Sequence, residues 1–189
     1  VFTRLPSSSA IPLAVRRAQD MFVLMFLLRG LPFVDLAYLR KSDLRDNVIT
    51  YRRRKTGRPL SVTLTPEALE LLKKYMNRDS HSPYLFSLLK SEEGTKEAYR
   101  EYQLALRSFN QQLTLLGEVL GLNDRLSSYT ARHTWATTAY YCEIHPGIIS
   151  EAMGHSSIKV TETYLKPFRN KKIDEANNQI IDFVKHSIA

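Results

Sequence analysis

Apolar residues recur at helical spacing over most of this chain. The stretch PLAVRRAQDMFVLMFLLR, residues 12–29, starts with a proline suited to a first turn and precedes Gly30, so it predicts a mostly buried helix. Residues 78–95 predict a loop with a short apolar insert, YLFSLL. The same helical spacing predicts further helices at residues 33–39, 66–77, 96–120, 128–141, 146–153, 157–164 and 170–189.

One segment does not follow the helical spacing of apolar residues. In VITYRRRKTGRPLSVTL, residues 48–64, β-branched and aromatic residues lie on both sides of a Lys-Thr-Gly-Arg turn, which predicts a β-hairpin with a cationic tip. The sequence has no internal repeat and no low-complexity segment. We therefore expect a mainly α-helical fold with one small antiparallel β-hairpin or sheet, in a single domain spanning residues 1–189.

The net charge of the chain indicates the kind of molecule that it binds. Twenty-seven Lys and Arg residues against nineteen Asp and Glu give a net charge of +8, which favours a polyanion such as DNA. No apolar run is long enough to span a bilayer, so no membrane partner is expected. The lone Cys142 and the lack of a Cys/His cluster predict an intracellular protein without disulfide, metal or other cofactor, in which Cys142 is a buried apolar residue.

Two short motifs carry the candidate chemistry: YTARHTWAT, residues 129–137, and MGHSSIKVTETY, residues 153–164. Together they resemble the signature of the tyrosine recombinases of the phage integrase family, H-x-x-R-H-[ST]-[FW]-A-[ST] and then L-G-H with a tyrosine nine residues after the histidine. Tyr164 follows His155 by nine residues. The hairpin also resembles the family's K-T-x-[RK] segment, and RGLPFVDLAYLRKSDL is similar to its first arginine block, as in integrases of conjugative and mobilisable transposons.

The resemblance implies the catalytic-domain fold of tyrosine recombinases and a site-specific recombinase that cleaves and rejoins DNA through a 3′-phosphotyrosyl intermediate, without metal or ATP. It makes Tyr164 the nucleophile, and a side-chain oxygen is what a covalent link to phosphate requires. Arg132 would stabilise the charge on the phosphate oxygens, and Lys55 would protonate the departing 5′-oxygen. His155 would donate to the phosphate or help to take the tyrosine proton.

The chain departs from the family pattern at two catalytic positions. Pro32 stands where the first arginine is expected, with Asp35 in place of the glutamate that follows. Arg29 is the nearest substitute, and Arg40 or another basic residue of the hairpin is the alternative. Tyr129 replaces a histidine, and a phenol can donate a hydrogen bond to phosphate but is a poor base near neutral pH. These two losses are the best argument for an alternative to the recombinase prediction, namely a recombinase-fold protein that binds DNA without cutting it.

Further residues are expected to contact DNA: Arg52, Arg53, Arg54, Arg58 and His133, the last of them buried and hydrogen-bonded near the site. Double-stranded DNA is the expected partner. The protein is expected to be a monomer when free and a homotetramer on DNA. We expect residues 1–189 to be the C-terminal catalytic domain of a longer protein with core-binding and arm-binding domains. The tail helix, residues 170–189, has a narrow apolar stripe that docks on a neighbouring protomer or folds back in cis.

Overall fold

A computed structural model describes residues 11–165 and 170–187. The elements are α1 (Leu13–Leu27), α2 (Phe33–Tyr38), β1 (Leu44–Arg45), β2 (Val48–Arg52), β3 (Pro59–Thr63), α3 (Pro66–Tyr75), α4 (Lys96–Val119), α5 (Thr130–Tyr141), α6 (Pro146–Ala152), α7 (Ile158–Glu162) and α8 (Asn170–Ser187). The strands form an antiparallel sheet in the order β1-β2-β3, in which Ile49 pairs with Val62. The predicted fold class, helical with a small antiparallel sheet, is confirmed.

Local signals explain where several elements begin. The Thr65 side chain accepts a hydrogen bond from the backbone N–H of Ala68 at 3.3 Å, with Pro66 in the first turn of α3. Thr95 caps α4 in the same way, accepting from Ala98 at 3.1 Å. The end of α7 was predicted less well, since that helix stops at Glu162 and leaves the candidate nucleophile in the following turn.

The main apolar core lies around α1. This helix packs against α3, α4 and α5, and its buried face includes Phe22, Leu24 and Met25. The predicted loop at residues 78–95 also enters this core, because its apolar insert is buried and pairs with the end of α3 through a Met76–Phe86 bridge. Burying each such side chain contributes roughly 1.5–3 kcal/mol, so the core is a firm support for α5.

A second apolar cluster, much smaller, joins α5 to α6 and to the turn after α7. Its buried members are Ala136, Ile149 and Met153, with Trp135 packed against them. Cys142 does not belong to it: the prediction that this residue is buried was wrong, because it caps the end of α5 at the start of an exposed turn.

Helix α8 is exposed along residues 172–186. An ion pair between Lys172 and Glu143 links its first turn to the end of α5, beside a cavity of about 470 Å³ that both elements line. Whether the apolar stripe docks in cis or on another protomer stays a prediction. Over the residues described, no helix has both the length and the apolar character needed to cross a membrane.

Candidate active site

The candidate nucleophile lies among three rings. The ring centre of Tyr164 is 4.5 Å from that of His133 and 5.2 Å from that of His155. The hydroxyl oxygens of Tyr164 and Tyr129 are 2.6 Å apart, within hydrogen-bond distance. Thr137 holds the backbone here, donating from Oγ1 to the carbonyl of Tyr164 at 3.2 Å. The fold thus brings the start of α5 and the turn after α7 together, as the two sequence motifs predicted.

Arg132 is the buried cation of the site. It lies on the inner face of α5, and its side chain is 1% exposed. Nη1 donates to the carbonyl of Gly30 at 2.9 Å, and Nη2 donates to the carbonyl of Met153 at 2.7 Å and to Nε2 of His155 at 2.8 Å. The guanidinium therefore joins the turn after α1 to the turn after α6, and these bonds fix its orientation.

Gly30 allows this close approach. Its φ of +68° lies in the left-handed region, and a Cβ placed there would be 2.9 Å from the Cα of Arg132. A side chain would therefore strain the backbone and displace α5. The glycine before Pro32 positions the arginine that is present, although the arginine expected at Pro32 is missing.

Both ring nitrogens of His155 are engaged within the protein. A guanidinium only donates, so Nε2 accepts from Arg132 and Nδ1–H donates to Oγ1 of Thr161 at 2.8 Å. Burial, and then the charges of Arg132, Arg53 and Lys55, lower the pKa of His155 to about 4. The imidazole is therefore neutral near pH 7, and in this arrangement it holds Arg132 while its ring packs on Tyr164.

The phenol of Tyr129 keeps its proton more firmly than usual. Burial, followed by the hydrogen bond with Tyr164, raises the pKa of Tyr129. The ring of His133 packs on both tyrosines, with its centre 5.0 Å from that of Tyr129 and 4.5 Å from that of Tyr164, but its side chain is exposed. The prediction that His133 is buried was wrong, because this side chain is exposed, whereas that of Arg132, the preceding residue of α5, is buried.

Lys55 lies in the turn between β2 and β3, where it is exposed. Nearby, Thr56 donates from Oγ1 to the carbonyl of Gly154 at 3.1 Å and so docks the hairpin on the turn that carries His155. Lys55 has no hydrogen bond or ion pair with any residue in 11–165 or 170–187. Its ammonium is held near the site by the docked hairpin and is free to reach a ligand there.

Arg29 points towards the sheet. Its Nη1 donates to the carbonyl of Ser61 on β3 at 3.2 Å. It lines an open cleft of about 530 Å³ with Arg58 and Glu151. Among the described parts of the chain, no hydrogen bond joins it to Arg132, His155 or Tyr164.

The hairpin arginines divide into two groups. Arg52 and Arg58 are exposed, as expected of residues that contact DNA. Arg54 pairs with Glu93 and lies over the ring of Tyr38, 3.7 Å from its centre. Arg53 is only 5% exposed and forms an ion pair with Asp35.

Arg53 was predicted to be one of several solvent-facing cations, and its burial was not predicted. A signal for it was present, because side chains alternate along a strand and Arg53, the residue directly after β2, continues the face that carries Tyr51 and the buried Ile49.

Chemically, the arrangement can bind a phosphodiester and offer it a nucleophile. A fixed buried guanidinium suits the oxygens of a phosphate, and a partly exposed phenol lies beside it. In the described part of the chain no cluster of three or more His, Cys, Asp or Glu side chains could hold a metal ion.

Comparisons with known proteins agree with this class of site. The pattern that defines the phage integrase family matches residues 11–171. The chain is 29% identical over 134 residues to the tyrosine recombinase XerC of Haemophilus ducreyi, covering 68% of this chain and 42% of XerC. It is 29% identical over 161 residues to the tyrosine recombinase XerA of Thermococcus onnurineus, covering 84% of this chain and 54% of XerA. The chain thus spans about half the length of these curated relatives.

Solved structures show the same fold. A crystal structure of XerA recombinase superposes with a TM-score of 0.59 at 18% identity, covering 95% of this chain and 66% of that one. The Tn1549 transposon integrase in complex with transposon right-end DNA gives 0.62 at 15% identity, covering 88% of this chain and 59% of that one. Fold and site therefore define a helical domain that presents a tyrosine beside a buried arginine. The chain belongs to the phage integrase family.

Proposed function

We propose that this chain is the catalytic part of a site-specific DNA recombinase, a mobile-element integrase that cuts and rejoins DNA strands through Tyr164. The observation that carries the proposal is the position of the Tyr164 hydroxyl, 2.6 Å from that of Tyr129, in a cluster whose buried cation is Arg132. The net charge of +8 supports DNA as the substrate.

Cleavage exchanges one ester bond for another. The oxygen of Tyr164 bonds to the phosphorus as the bond from phosphorus to the 5′-oxygen breaks, and the electron pair leaves with that oxygen. Lys55 gives the 5′-oxygen a proton, while the proton of Tyr164 passes to solvent, from which Lys55 is protonated again. Attack by a 5′-hydroxyl reverses the step and rejoins a strand, so neither ATP nor metal is consumed.

The remaining residues stabilise or position the reacting groups. Arg132 offsets the negative charge that builds up on the non-bridging oxygens in the transition state. His155 holds that guanidinium and acts as a positioning residue. Tyr129 donates its hydrogen bond to the oxygen of Tyr164 once the latter has lost its proton.

Recombination needs more than one protomer, since two DNA duplexes each present two strands. We propose that the protein is a monomer when free and a homotetramer on DNA. The exposed stripe of α8, including Ile173, Ile180 and Val184, supports contact with a neighbouring copy because these side chains are between 48% and 64% exposed.

The test is a covalent adduct. The protein in its full natural length is first used to capture duplexes from a pool that tiles the DNA around its gene, and each bound duplex is then offered as a nicked suicide substrate. We expect a denaturation-resistant protein–DNA adduct that disappears in Tyr164→Phe and persists in the matched control Tyr99→Phe, which changes an exposed tyrosine of α4. If the wild-type protein forms no adduct with any duplex it binds, it is the DNA-binding, non-cleaving alternative.

A further inference from the structure

The proposed reaction requires more positive charge at the phosphate than Arg132 supplies. Three of its five N–H groups are already donated to Gly30, Met153 and His155, and Pro32 adds none. We infer that Arg53 is the second phosphate-binding arginine of the site, a catalytic residue contributed by the segment directly after β2 in place of the one missing at position 32. This inference rests on the proposed function.

Asp35 holds Arg53 on the inner face of the hairpin. Its Oδ2 accepts from Nη1 of Arg53, while its Oδ1 accepts from the backbone N–H of Arg54 at 3.0 Å. Asp35 is itself only 2% exposed, so the ion pair is shielded from water and fixes the guanidinium firmly. The acidic residue of the first block therefore orients an arginine that comes from a different element.

The side chain of Arg53 passes over the turn that carries His155. A Cβ on Gly154, whose φ is +64°, would lie 2.8 Å from the Cγ of Arg53, so only glycine leaves room for it. Arg132 donates to the residues on either side, the carbonyl of Met153 and Nε2 of His155. Both buried arginines thus pack on the same three-residue turn.

Most of the donors of Arg53 are unused. Within residues 11–165 and 170–187 only Nη1 has a hydrogen-bond acceptor, and Nε is buried with no partner. Arg132 also has a buried, unpaired Nε. Buried cationic donors without acceptors are costly, and here two such groups lie around one turn.

Electrostatics supports an anion between them. After burial, the charge of Arg53 is the next largest cause that lowers the pKa of Arg132. Two cations close enough to oppose each other are both stabilised by a phosphate that contacts each. Arg29, in contrast, donates a hydrogen bond to the carbonyl of Ser61 and faces the cleft beside β3.

The test compares adduct formation by Arg53→Ala, Arg53→Lys and Arg29→Ala on the suicide duplex that gives an adduct with the wild type. Arg45→Ala is the matched control, because Arg45 is an exposed arginine of the same sheet. Each protein is also offered the same duplex with a methylphosphonate at the scissile position, in which a methyl group replaces one charged oxygen.

We expect Arg53→Ala to lower the rate of adduct formation by about 10²–10³-fold on the phosphate. On the neutral methylphosphonate the rate of adduct formation by Arg53→Ala should lie within roughly a few-fold of the wild-type rate, because the charge that Arg53 offsets is gone. Arg53→Lys should lie between Arg53→Ala and the wild type, and Arg29→Ala should stay well above Arg53→Ala. The Arg45→Ala control should match the wild type.

Other results overturn the inference while leaving the proposed function intact. One is an Arg53→Ala protein that still reacts like the wild type. Another is a loss on phosphate and methylphosphonate alike, which would mark Arg53 as a structural partner of Asp35, since a misfolded site cannot be rescued by changing the DNA. If the wild type gives no adduct at all, the proposed function fails and this inference falls with it.

Discussion

The two apolar clusters of the molecule differ in how firmly they hold the site. The main core takes buried side chains from α1 to α4, the sheet and the insert before α4. The small cluster has three fully buried members, Ala136, Ile149 and Met153, and Tyr164 packs on its edge. Arg53 is held beside the main core by Asp35, and Arg132 is bound both by Gly30 and by the turn after α6. The nucleophile packs on the second cluster.

This difference separates rigid from adaptable parts of the site. Segments with few buried contacts open at lower free energy than the core does. In the proposed reaction the turn after α7 can therefore adjust when a phosphate is bound, while the guanidinium groups proposed to contact the phosphate keep their positions. The positive groups are thus fixed in advance, and the turn that carries Tyr164 adjusts to bring the nucleophile to them.

Truncating one side chain in each cluster gives the largest contrast. Leu24→Ala should lower the free energy of unfolding by about 3–5 kcal/mol, because Leu24 is fully enclosed in the main core, and should leave the rate of adduct formation nearly unchanged in folded protein. Met153→Ala should cost about 2 kcal/mol and slow adduct formation about tenfold or more, because Met153 supports the turn that binds Arg132. Denaturant unfolding and adduct kinetics measure the two effects.

Met153→Leu is the matched control, since it keeps the apolar volume and should retain both stability and rate. Equal losses of rate in Leu24→Ala and Met153→Ala would show that the two clusters do not divide the work in this way.

Most of the fold could be predicted from local pattern. Period-3.6 spacing located the helices, Thr65-Pro66 marked the start of α3, and alternation gave the hairpin. The resemblance of the two motifs to the tyrosine recombinase signature implied that Arg132, His155 and Tyr164 would meet, and the structure brings them together. The helix and hairpin signals each lie within a short stretch of chain, whereas the meeting of the two motifs was implied by the resemblance to the family.

The features that could not be predicted depend on partners that are distant in the sequence. Arg53 looked like one of several hairpin cations, and its burial follows from Asp35 and from the space above Gly154. The short strand β1 and the exposure of Cys142 likewise depend on how elements end and pack, which the periodicity of the sequence does not reveal. The function of Arg29, which pairs with Ser61, stays a prediction.

His155 lies in the turn after α6, buried against Arg132, and should make stability depend on pH. Its pKa is lowered to about 4 in the folded protein, against an ordinary value near 6.5, so below that value the unfolded chain binds a proton that the native protein does not. The free energy of unfolding should therefore fall as pH drops from about 6.5 towards 4, by up to about 3 kcal/mol in total. Unfolding curves across this range measure it.

His155→Asn provides the reference, because it removes this titration and leaves all others. The difference in stability between wild type and variant should shrink steadily on acidification through that range. A difference that stays constant with pH would contradict the burial of a neutral imidazole against Arg132.

Tyr129→Phe tests the nucleophile side alone and should have the smallest effect. The phenol is 47% exposed and its hydroxyl meets only that of Tyr164 among the described residues, so the change should alter the free energy of unfolding by less than about 0.5 kcal/mol. Losing one hydrogen bond to the developing phenolate should slow adduct formation about tenfold. Single-turnover cleavage with the Tyr99→Phe control measures the rate. An unchanged rate would mean that the Tyr129 hydroxyl turns away from Tyr164 when DNA is bound.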